Sequence, residues 1–445
     1  MKTFLISIIV LTGISFGAVD SANAIWSRIK GYFSVPQLYQ NDFGKYRSPL
    51  LFNDSTVVSN ASEWQKRKNE IHSFWLPLLG TQPTYIDSPS YNLTLKTVKS
   101  GFTQYEMTIA LVPGWSPIRC VLLVPDGTGP FPAVVTTYYE VETLIGSNNA
   151  TNPKRDFALQ FVKRGLASLA VGRQYDQCYY PNSAAAQLQP SYLHAYIAQN
   201  ALNFLRKRSD IDSARIGIMG HSYGGKWAMM GACLAKGFKA AVWSDPGIVF
   251  DERTSGDANW WESWYLGWAP GMPMPMWSVP PPRYGAYKTL VDSMRDLTDL
   301  HALMAPTPLL LSGGKIDKLD KWKALNHLKS VNDILGFRNR IAMTTRPEHA
   351  PVDSCNAVMA DFLLFFLKYD GKADSTSVDA EKKTPERTAM HKENRYQVID
   401  IRGKICAEFR GEVKTGLRNS SLSHGVYFIR KCGDNRNSPR KYLVL

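Results

Sequence analysis

The chain contains few cysteines and no concentrated run of charge. Its 445 residues include six cysteines, and none of these stands in a C-x-x-C pair or in a cluster with histidines. Small secreted scaffolds held by disulfides use cysteine far more densely, and structural zinc sites need clustered ligands, so both classes are excluded. The net charge is +14, yet no dense block of lysine and arginine occurs. We therefore expect a solvated basic surface, no metal, no cofactor and no nucleic-acid partner.

Long hydrophobic runs are also missing, except at the N-terminus. There Lys2 precedes an apolar stretch from Phe4 to Val19, which contains glycine and serine and is short for a membrane span. The following Ala22-Asn23-Ala24 has the small-x-small pattern of a signal-peptide cleavage site. We predict a signal peptide at residues 1–24, a mature chain that begins at Ile25 and no stable membrane insertion. An uncleaved anchor is the alternative.

The C-terminal end has a composition of its own. Residues 371–396 are polar and charged like a linker, and from residue 371 onward 16 lysines and arginines stand against 9 aspartates and glutamates. Residues 397–445 show short β-patterns, with a DIRGK turn, an LSHGVYFIR strand and a terminal RKYLVL. This order resembles the type A C-terminal sorting domain of the type IX secretion system. The resemblance implies a small all-β sandwich, the secretion machinery as a partner, and export through the periplasm to the cell surface or the medium. A carbohydrate-binding module is the alternative.

Between these ends, short apolar runs alternate with longer helical patterns. Alternating patterns predict strands at 91–98 and 105–112, and runs rich in valine and isoleucine predict strands at 118–124, 133–138, 167–171, 215–219, 240–243 and 308–311. Helices are predicted at 62–74 (capped by Ser62), 157–164, 192–206, 226–235 and 353–366. Near-continuous apolar strands that alternate with helices predict an α/β fold, with a mostly parallel sheet covered on both faces.

The strongest functional signal is Gly220-His221-Ser222-Tyr223-Gly224-Gly225. It follows a predicted strand and opens a predicted helix, which is the context of a nucleophile elbow. A serine in such a strained turn projects its hydroxyl above the sheet, and small residues two positions before and after it let the strand and the helix pass closely. The backbone N–H of Tyr223 then faces a developing oxyanion. We predict Ser222 as a nucleophile; a glycine-rich turn with a capping serine is the alternative.

With this motif in view, residues 60–370 resemble α/β-hydrolase serine esterases, in particular acetyl xylan esterases and dienelactone-hydrolase-like enzymes. The motifs that carry the resemblance are FWLPLLG at 74–80, GHSYGGK at 220–226 and SGGKID at 312–317. Ser-Tyr-Gly-Gly is also similar to the elbow of prolyl oligopeptidases. Lys226 is similar to a lysine of glucuronoyl esterases, which usually have an arginine where this chain has Tyr223. The resemblance implies an α/β-hydrolase catalytic domain at residues 25–370, with Lys226 as a substrate-binding residue.

A serine nucleophile needs a base, and the base needs an orienting acid. In α/β-hydrolases the acid and then the histidine follow the serine along the chain. We predict His349 as the base, because it lies in a loop between an apolar run and the last helix. Asp317, in the SGGKID turn after a strand, is the predicted acid, and Asp245 is the alternative. The backbone N–H of Tyr139 is the predicted second oxyanion donor.

Residues 257–285 form an unusual insertion. They hold five of the 12 tryptophans and six of the 26 prolines of the chain, and they follow a predicted strand. Two interpretations are open. One is a cap that packs onto the domain. The other is an aromatic wall for a sugar chain, in which Trp260, Trp261 and Trp264 bind substrate, since flat indole rings offer apolar area with a polar handle.

Together these patterns predict a secreted, metal-independent serine esterase that acts on a polysaccharide and removes acetyl groups from xylan or a related glycan. The carbohydrate substrate follows from the resemblance and from the tryptophan-rich insertion. A glucuronoyl or other carbohydrate methylesterase and a prolyl-oligopeptidase-like exopeptidase are the enzymatic alternatives. A glycan-binding protein on an inactive hydrolase fold is the non-enzymatic one, and the presence of serine, aspartate and histidine in order argues against it.

Overall fold

The computed structural model describes residues 20–172, 188–250, 266–267 and 283–373, and the backbone of four strands between residues 395 and 444. The chain divides into two compact units, residues 1–375 and 376–445. Most of the predicted signal peptide, of the predicted linker and of the tryptophan-rich insertion lies outside the described residues. The predictions for those segments therefore stay predictions.

A nine-stranded sheet is the centre of the first unit. Its strands are β1 (Tyr91–Lys99), β2 (Phe102–Ile109), β3 (Ile118–Pro125), β4 (Phe131–Thr137), β5 (Ala167–Val171), β6 (Ile211–His221), β7 (Ala241–Ser244), β8 (Leu309–Ser312) and β9 (Ile341–Thr344). Their order across the sheet is β1-β2-β3-β5-β4-β6-β7-β8-β9. Strands β1 to β3 pair antiparallel, as does β3 with β5, and every pair from β5 to β9 is parallel. The predicted mostly parallel sheet is confirmed.

Helices flank this sheet. They are α1 (Ala22–Ile29), α2 (Ala61–Leu79), α3 (Val141–Leu144), α4 (Phe157–Val162), α5 (Pro190–Arg206), α6 (Tyr223–Leu234), α7 (Gly285–Asp292), α8 (Thr298–Leu303), α9 (Trp322–Ile334) and α10 (Asp353–Lys368). The predicted cap at Ser62 is wrong. Helix α2 begins one residue earlier, and the Asn60 side chain accepts a hydrogen bond from the Glu63 backbone N–H at 2.9 Å. Asparagine is among the best N-cap residues, which explains this choice.

The central strands are apolar because both faces of the sheet are covered. Along β4, Ala133 and Val135 belong to one buried cluster, and Val134, between them, belongs to a second. Successive side chains of a strand point to opposite faces, so these two clusters lie on the two sides of the sheet. The first contains residues of α5 and α6, and the second contains residues of α4 and α10. The two-sided burial predicted from the unbroken apolar runs is therefore present.

Helix α1 crosses the point at which cleavage of the signal peptide is predicted. Beyond that point, Ile25 and Ile29 are buried in the core that α10 also lines. Arg28 reaches the buried carboxylate of Asp361 at 2.7 Å, and Arg164 reaches the same carboxylate at 3.0 Å. The residues that follow the predicted cleavage point are therefore part of the first unit.

Parallel strands bring several loops to one edge of the sheet. The carboxyl ends of β4, β6, β7, β8 and β9 lie side by side in the order β4-β6-β7-β8-β9. Ser222 directly follows β6, Asp245 directly follows β7, and Asp317 follows β8. His349 lies in the loop between β9 and α10. All four predicted or alternative triad residues therefore meet at the edge where ligands of such sheets bind.

The second unit contains strands β10 (Arg395–Asp400), β11 (Ile405–Arg410), β12 (Gly425–Lys431) and β13 (Arg440–Val444). They form an antiparallel sheet in the order β11-β10-β12-β13. The predicted all-β character of this segment agrees with these strands, while the sandwich and the sorting role stay predictions. Within the described parts of the chain, no helix is both long and apolar enough to span a lipid bilayer.

Candidate active site

Ser222 sits in a sharp turn between β6 and α6. Its φ of 57° and ψ of −127° lie in a region that L-residues avoid, which is the strain expected of a nucleophile elbow. Glycines on either side make this turn possible. A Cβ at Gly220 would lie 2.0 Å from the Gly224 carbonyl oxygen, and a Cβ at Gly224 would lie 2.2 Å from the Thr137 carbonyl oxygen. No other residue fits at either position without movement of the backbone.

The end of β4 is attached to this elbow. The Thr137 hydroxyl donates to the Gly224 carbonyl at 2.8 Å and lies 3.3 Å from the Met219 carbonyl oxygen. The next residues, Tyr138 and Tyr139, therefore start beside the first turn of α6, and the Tyr139 ring lies 6.3 Å from the ring of Tyr223. The two backbone groups predicted to bind an oxyanion come from neighbouring segments. Their role as donors stays a prediction.

Ser222, His349 and Asp245 form a hydrogen-bonded chain. Nε2 of His349 lies 2.8 Å from Oγ of Ser222, and Nδ1 of the same ring lies 2.6 Å from Oδ2 of Asp245. The Asp245 side chain is fully buried, whereas the His349 side chain is 32% exposed. A half-buried hydroxyl, an imidazole and a buried carboxylate in this sequence of contacts have the arrangement of a serine-hydrolase triad.

The carboxylate at the imidazole is that of Asp245, which corrects the prediction of Asp317. Asp317 is buried nearby, but its two oxygens accept hydrogen bonds from the backbone N–H groups of Gly247 and Ile248 at 2.7 and 2.9 Å. Oδ1 of Asp245 in turn accepts from the N–H groups of Ile316 at 3.2 Å and Asp317 at 2.7 Å. Each aspartate therefore binds the backbone of the loop that carries the other.

Glycine at position 314 makes room for this arrangement. A Cβ there would lie 2.6 Å from Oδ2 of Asp245 and 2.7 Å from the carbonyl oxygen of Glu348. The SGGKID turn therefore packs against the carboxylate of Asp245 and does not itself supply the carboxylate that contacts His349. The positive φ of Asp245, 52°, is a second sign of a specialised position, because aspartate tolerates this region better than most residues.

The two buried carboxylates influence each other. Burial and the neighbouring charge of Asp245 raise the pKa of Asp317 to about 6, and the charge of Lys321 and the two backbone hydrogen bonds oppose this rise. Asp317 therefore takes up a proton more easily than a free aspartate.

Lys226 is buried beside the same loop. Its ammonium group donates to the Gly247 carbonyl at 2.5 Å. Because Asp317 holds the N–H of Gly247 and Lys226 holds its carbonyl, the loop after Asp245 is fixed from both sides. Lys226 thus supports the loop that follows Asp245, and its predicted contact with substrate stays a prediction. The ring of Tyr223 is also buried, and its hydroxyl lies 3.5 Å from Nε2 of the buried His194.

Trp260, Trp261 and Trp264 lie outside the described residues, so their predicted contact with substrate stays a prediction. Three residues beside the triad were not identified from the sequence: Thr137, Ser244, whose Oγ lies 3.0 Å from Nδ1 of His221, and Arg346, which donates to the His349 carbonyl at 2.8 Å. A hydroxyl at the end of a strand and an arginine three positions before the histidine carry no pattern of their own. The glycine at position 314, by contrast, was visible as the second glycine of SGGKID and could have indicated a close approach at the end of β8.

Comparisons with known proteins agree with this fold. The prolyl oligopeptidase family matches residues 198–318, which include the elbow and both acidic loops. No curated protein matches the chain significantly. A glucuronoyl esterase from Solibacter usitatus is 15% identical with a TM-score of 0.58, over 72% of this chain and 97% of that one. A CE15 glucuronoyl esterase from Teredinibacter turnerae T7901 is 15% identical with a TM-score of 0.54, over 73% and 89%.

A third similar structure is a CE15 glucuronoyl esterase from Caldicellulosiruptor kristjansonii, 18% identical with a TM-score of 0.52, over 79% of this chain and 98% of that one. At such identities the likeness shows the α/β-hydrolase fold alone. The fold, the family match and the hydrogen-bonded serine, histidine and aspartate together identify a serine hydrolase.

We expect Gly224→Ala to disrupt the elbow. The added Cβ would collide with the Thr137 carbonyl at 2.2 Å, so β4 and α6 must separate. Overpacking of this kind costs about 1–3 kcal/mol and misplaces the nucleophile. Esterase activity on an aryl acetate should fall by about 100-fold, since a shift of about 1 Å has that effect. Gly31→Ala, which meets no atom within 4 Å, is the control and should behave like the wild type. Wild-type activity of Gly224→Ala would contradict the geometry.

We expect Asp317→Asn to alter the pH dependence of stability. A folded-state pKa of about 6, above the ordinary 3.8, stabilises the protein fully below about pH 4, and this stabilisation is lost as the pH rises through 6. Wild type should therefore gain stability relative to the variant as the pH falls from about 7 to about 4.5. Urea unfolding followed by tryptophan fluorescence reports on the first unit, because all 12 tryptophans precede residue 376. Asp126→Asn, at an exposed position, is the control, and the wild type should not gain stability relative to it over this pH range. Plots of unfolding free energy against pH that run parallel for wild type and Asp317→Asn would contradict the raised pKa.

Proposed function

We propose that the protein is a serine carboxylesterase in which Ser222, His349 and Asp245 form the catalytic triad. The observation that carries this proposal is the pair of contacts made by one imidazole, 2.8 Å to Oγ of Ser222 and 2.6 Å to Oδ2 of Asp245. The strained elbow and the buried state of Asp245 support it, because both are needed to present the hydroxyl and to hold the ring in one tautomer.

In this mechanism Oγ of Ser222 attacks the ester carbonyl carbon while Nε2 of His349 takes the hydroxyl proton. Asp245 accepts the Nδ1–H hydrogen bond and stabilises the imidazolium that forms. The N–H of Tyr223, with that of Tyr139, stabilises the oxyanion. Collapse of the tetrahedral intermediate transfers the proton from His349 to the departing alcohol and leaves an acyl-enzyme. Water then attacks this ester with the same imidazole as base, which releases the acid and restores Ser222.

The proposed substrate is an ester on a carbohydrate. The resemblance of residues 60–370 to acetyl xylan esterases supports an acetyl ester of xylan or a related glycan. The fold likeness to glucuronoyl esterases supports a second candidate, an ester formed by the carboxyl group of a uronic acid. In the first case the sugar leaves as the alcohol, and in the second it stays on the serine as the acyl group. The tryptophan-rich insertion, 257–285, is proposed to bind the sugar chain in either case.

We also propose that the protein is exported. The N-terminal pattern at residues 1–24 supports a cleaved signal peptide, and the pattern of residues 397–445 supports sorting by a type IX secretion system to the cell surface or the medium. The antiparallel strands β10 to β13 are compatible with a small sorting domain. Cleavage before Ile25 leaves the Arg28–Asp361 ion pair in the mature chain.

The acid can be identified by comparing two variants. Asp245→Asn should lower kcat on an aryl acetate by about 10⁴-fold, the loss known for a triad whose aspartate becomes asparagine. The reason is geometric. The N–H groups of Ile316 and Asp317 require an acceptor at Oδ1, so the asparagine turns its NH₂ group toward His349 and stabilises the wrong tautomer.

Asp317→Asn is the matched comparison, and it should reduce kcat by less than about 30-fold, because one backbone hydrogen bond to its side-chain oxygen survives. The reverse ranking of the two variants would transfer the role of the acid to Asp317. Both should keep KM within a few-fold, since neither side chain reaches the solvent to contact substrate.

The ester class can be determined with a panel of substrates. Acetate release from acetylated xylan and alcohol release from a methyl glucuronate should be measured on the mature protein beside Ser222→Ala. We expect release from one of the two carbohydrate esters, and none from the variant. Hydrolysis of an aryl acetate alone would keep the serine esterase and reject both carbohydrate substrates. Release of an aryl amine from a prolyl peptide anilide would favour the exopeptidase, and activity retained in Ser222→Ala would reject the triad.

A further inference from the structure

A buried polar network accompanies the triad. His221 precedes Ser222, Ser244 precedes Asp245, and Arg346 lies three residues before His349 in the same loop. Oγ of Ser244 lies 3.0 Å from Nδ1 of His221 and 3.3 Å from Nη2 of Arg346. The three side chains are nearly inaccessible to solvent, at 0%, 0% and 5% exposure. One connected network thus contacts the segments that carry all three triad residues.

Arg346 is the centre of this network. Its Nη2 donates to the His349 carbonyl at 2.8 Å, and its Nε donates to the Ala350 carbonyl at 2.9 Å. On the other side, Nη1 donates to the carbonyl and hydroxyl oxygens of Ser312 at 2.9 and 3.0 Å and lies 3.2 Å from the Gly313 carbonyl oxygen. The planar guanidinium therefore attaches the histidine loop to the ends of β7 and β8.

Arginine suits this position for a physical reason. The oxygens it meets at the ends of β8 and in the histidine loop are carbonyls and a hydroxyl, and only a rigid fork of donors can serve them at once. Burial lowers the pKa of Arg346, while the charges of Asp245 and Asp317 raise it. The guanidinium remains charged in any protein environment, so it also offsets the negative charge of the two buried carboxylates.

His221 is neutral in this network. Its Nδ1 lies 3.1 Å from the Ser244 carbonyl oxygen, which can only accept, so Nδ1 carries the hydrogen. Burial, with the neighbouring charges of His349 and Arg346, keeps the pKa of His221 well below its usual range. The rings of His221 and His349 lie 4.8 Å apart at an angle of 32°. A neutral ring packed there supports the base without competing for its proton.

We propose that Arg346 is a positioning residue of the esterase: it sets the place of the His349 ring between Ser222 and Asp245 by holding the backbone of residues 349 and 350 onto the ends of β7 and β8. This inference rests on the proposed function, because it concerns the same triad. It adds a residue outside the triad on which the rate of the chemical step depends, while substrate binding does not.

The test compares Arg346→Met and Arg346→Lys with the wild type on an aryl acetate. Active sites are counted with a phosphonate that labels Ser222 and releases one leaving group per labelled site. We expect kcat per labelled site to fall by about 100-fold in Arg346→Met, the effect of a displacement of about 1 Å, with KM changed by less than about threefold. Arg346→Lys keeps the charge and a single donor nitrogen in place of the fork, so it should recover part of the lost rate.

Arg340→Met is the matched control. Arg340 precedes β9 as Arg346 follows it, and its guanidinium packs on the rings of Phe337 and Phe366. This variant should keep the wild-type kcat per labelled site even if its melting temperature falls. Wild-type kcat per labelled site in Arg346→Met would overturn the proposal, because a purely structural arginine changes only the number of active molecules.

A second variant keeps the proposal testable if Arg346→Met does not fold. Ser244→Ala removes one contact of Arg346 and one of His221 with a small change in volume, and we expect a loss of about 5-fold to 10-fold in kcat per labelled site. An unchanged kcat in that variant would overturn the proposal. Ser222→Ala is measured in parallel. Turnover that persists in Ser222→Ala rejects the proposed function itself, whereas an inactive Ser222→Ala beside unaffected Arg346 variants rejects only the positioning role.

Discussion

The candidate active site depends on reciprocal hydrogen bonds between the loops after β7 and β8, in which the aspartate of each loop accepts from the backbone of the other. Asp245 binds the backbone of Ile316 and Asp317, and Asp317 binds the backbone of Gly247 and Ile248. Four hydrogen bonds to charged acceptors, each about 1.5–3 kcal/mol, hold the two loops together. Oδ1 of Asp245 accepts these backbone hydrogen bonds, and Oδ2 faces the imidazole. The hydrogen bonds at Oδ1 therefore fix the direction of Oδ2 before any substrate arrives.

Two buried carboxylates in contact would repel each other without neighbouring cations. Lys321 and Arg346 supply positive charge beside the pair, and Arg346 also donates to carbonyl oxygens of the adjoining loops. Arg346 therefore contributes both to charge balance and to loop geometry. Burial and the charge of Asp245 still raise the pKa of Asp317 to about 6, so Asp317, which does not contact the imidazole, takes up a proton as the pH falls through that value.

The parts of the site that depend on local sequence were predicted, and those that depend on contacts between distant segments were not. Ser222 was found because its turn needs glycines at fixed spacing, and His349 because it lies in the loop before the last helix. The acid was assigned to Asp317 in place of Asp245, because both lie in turns that follow a strand. What distinguishes them is the imidazole at Asp245 and the backbone groups at Asp317, and these contacts form only in the folded chain. Arg346 left no signal, since its partners are carbonyl oxygens, which every residue has. The strands β3 to β8 were predicted from their apolar runs, as expected for a sheet covered on both faces, whereas β9 was not predicted as a strand.

Because Asp245 follows β7, the residues after β8 must leave room for its carboxylate, and this requirement explains Gly314. Neighbouring strands lie about 4.8 Å apart, so β9, which leads into the histidine loop, is about 10 Å from β7. The loop of His349 must therefore cross the end of β8 to bring Nδ1 to Asp245. A side chain at position 314 would occupy the path, because its Cβ would touch both the Asp245 carboxylate and the Glu348 carbonyl. Nε2 of the same ring reaches Ser222 after β6, one strand farther. Gly314 leaves room for the carboxylate and for the crossing loop, and Arg346 holds that loop against the end of β8.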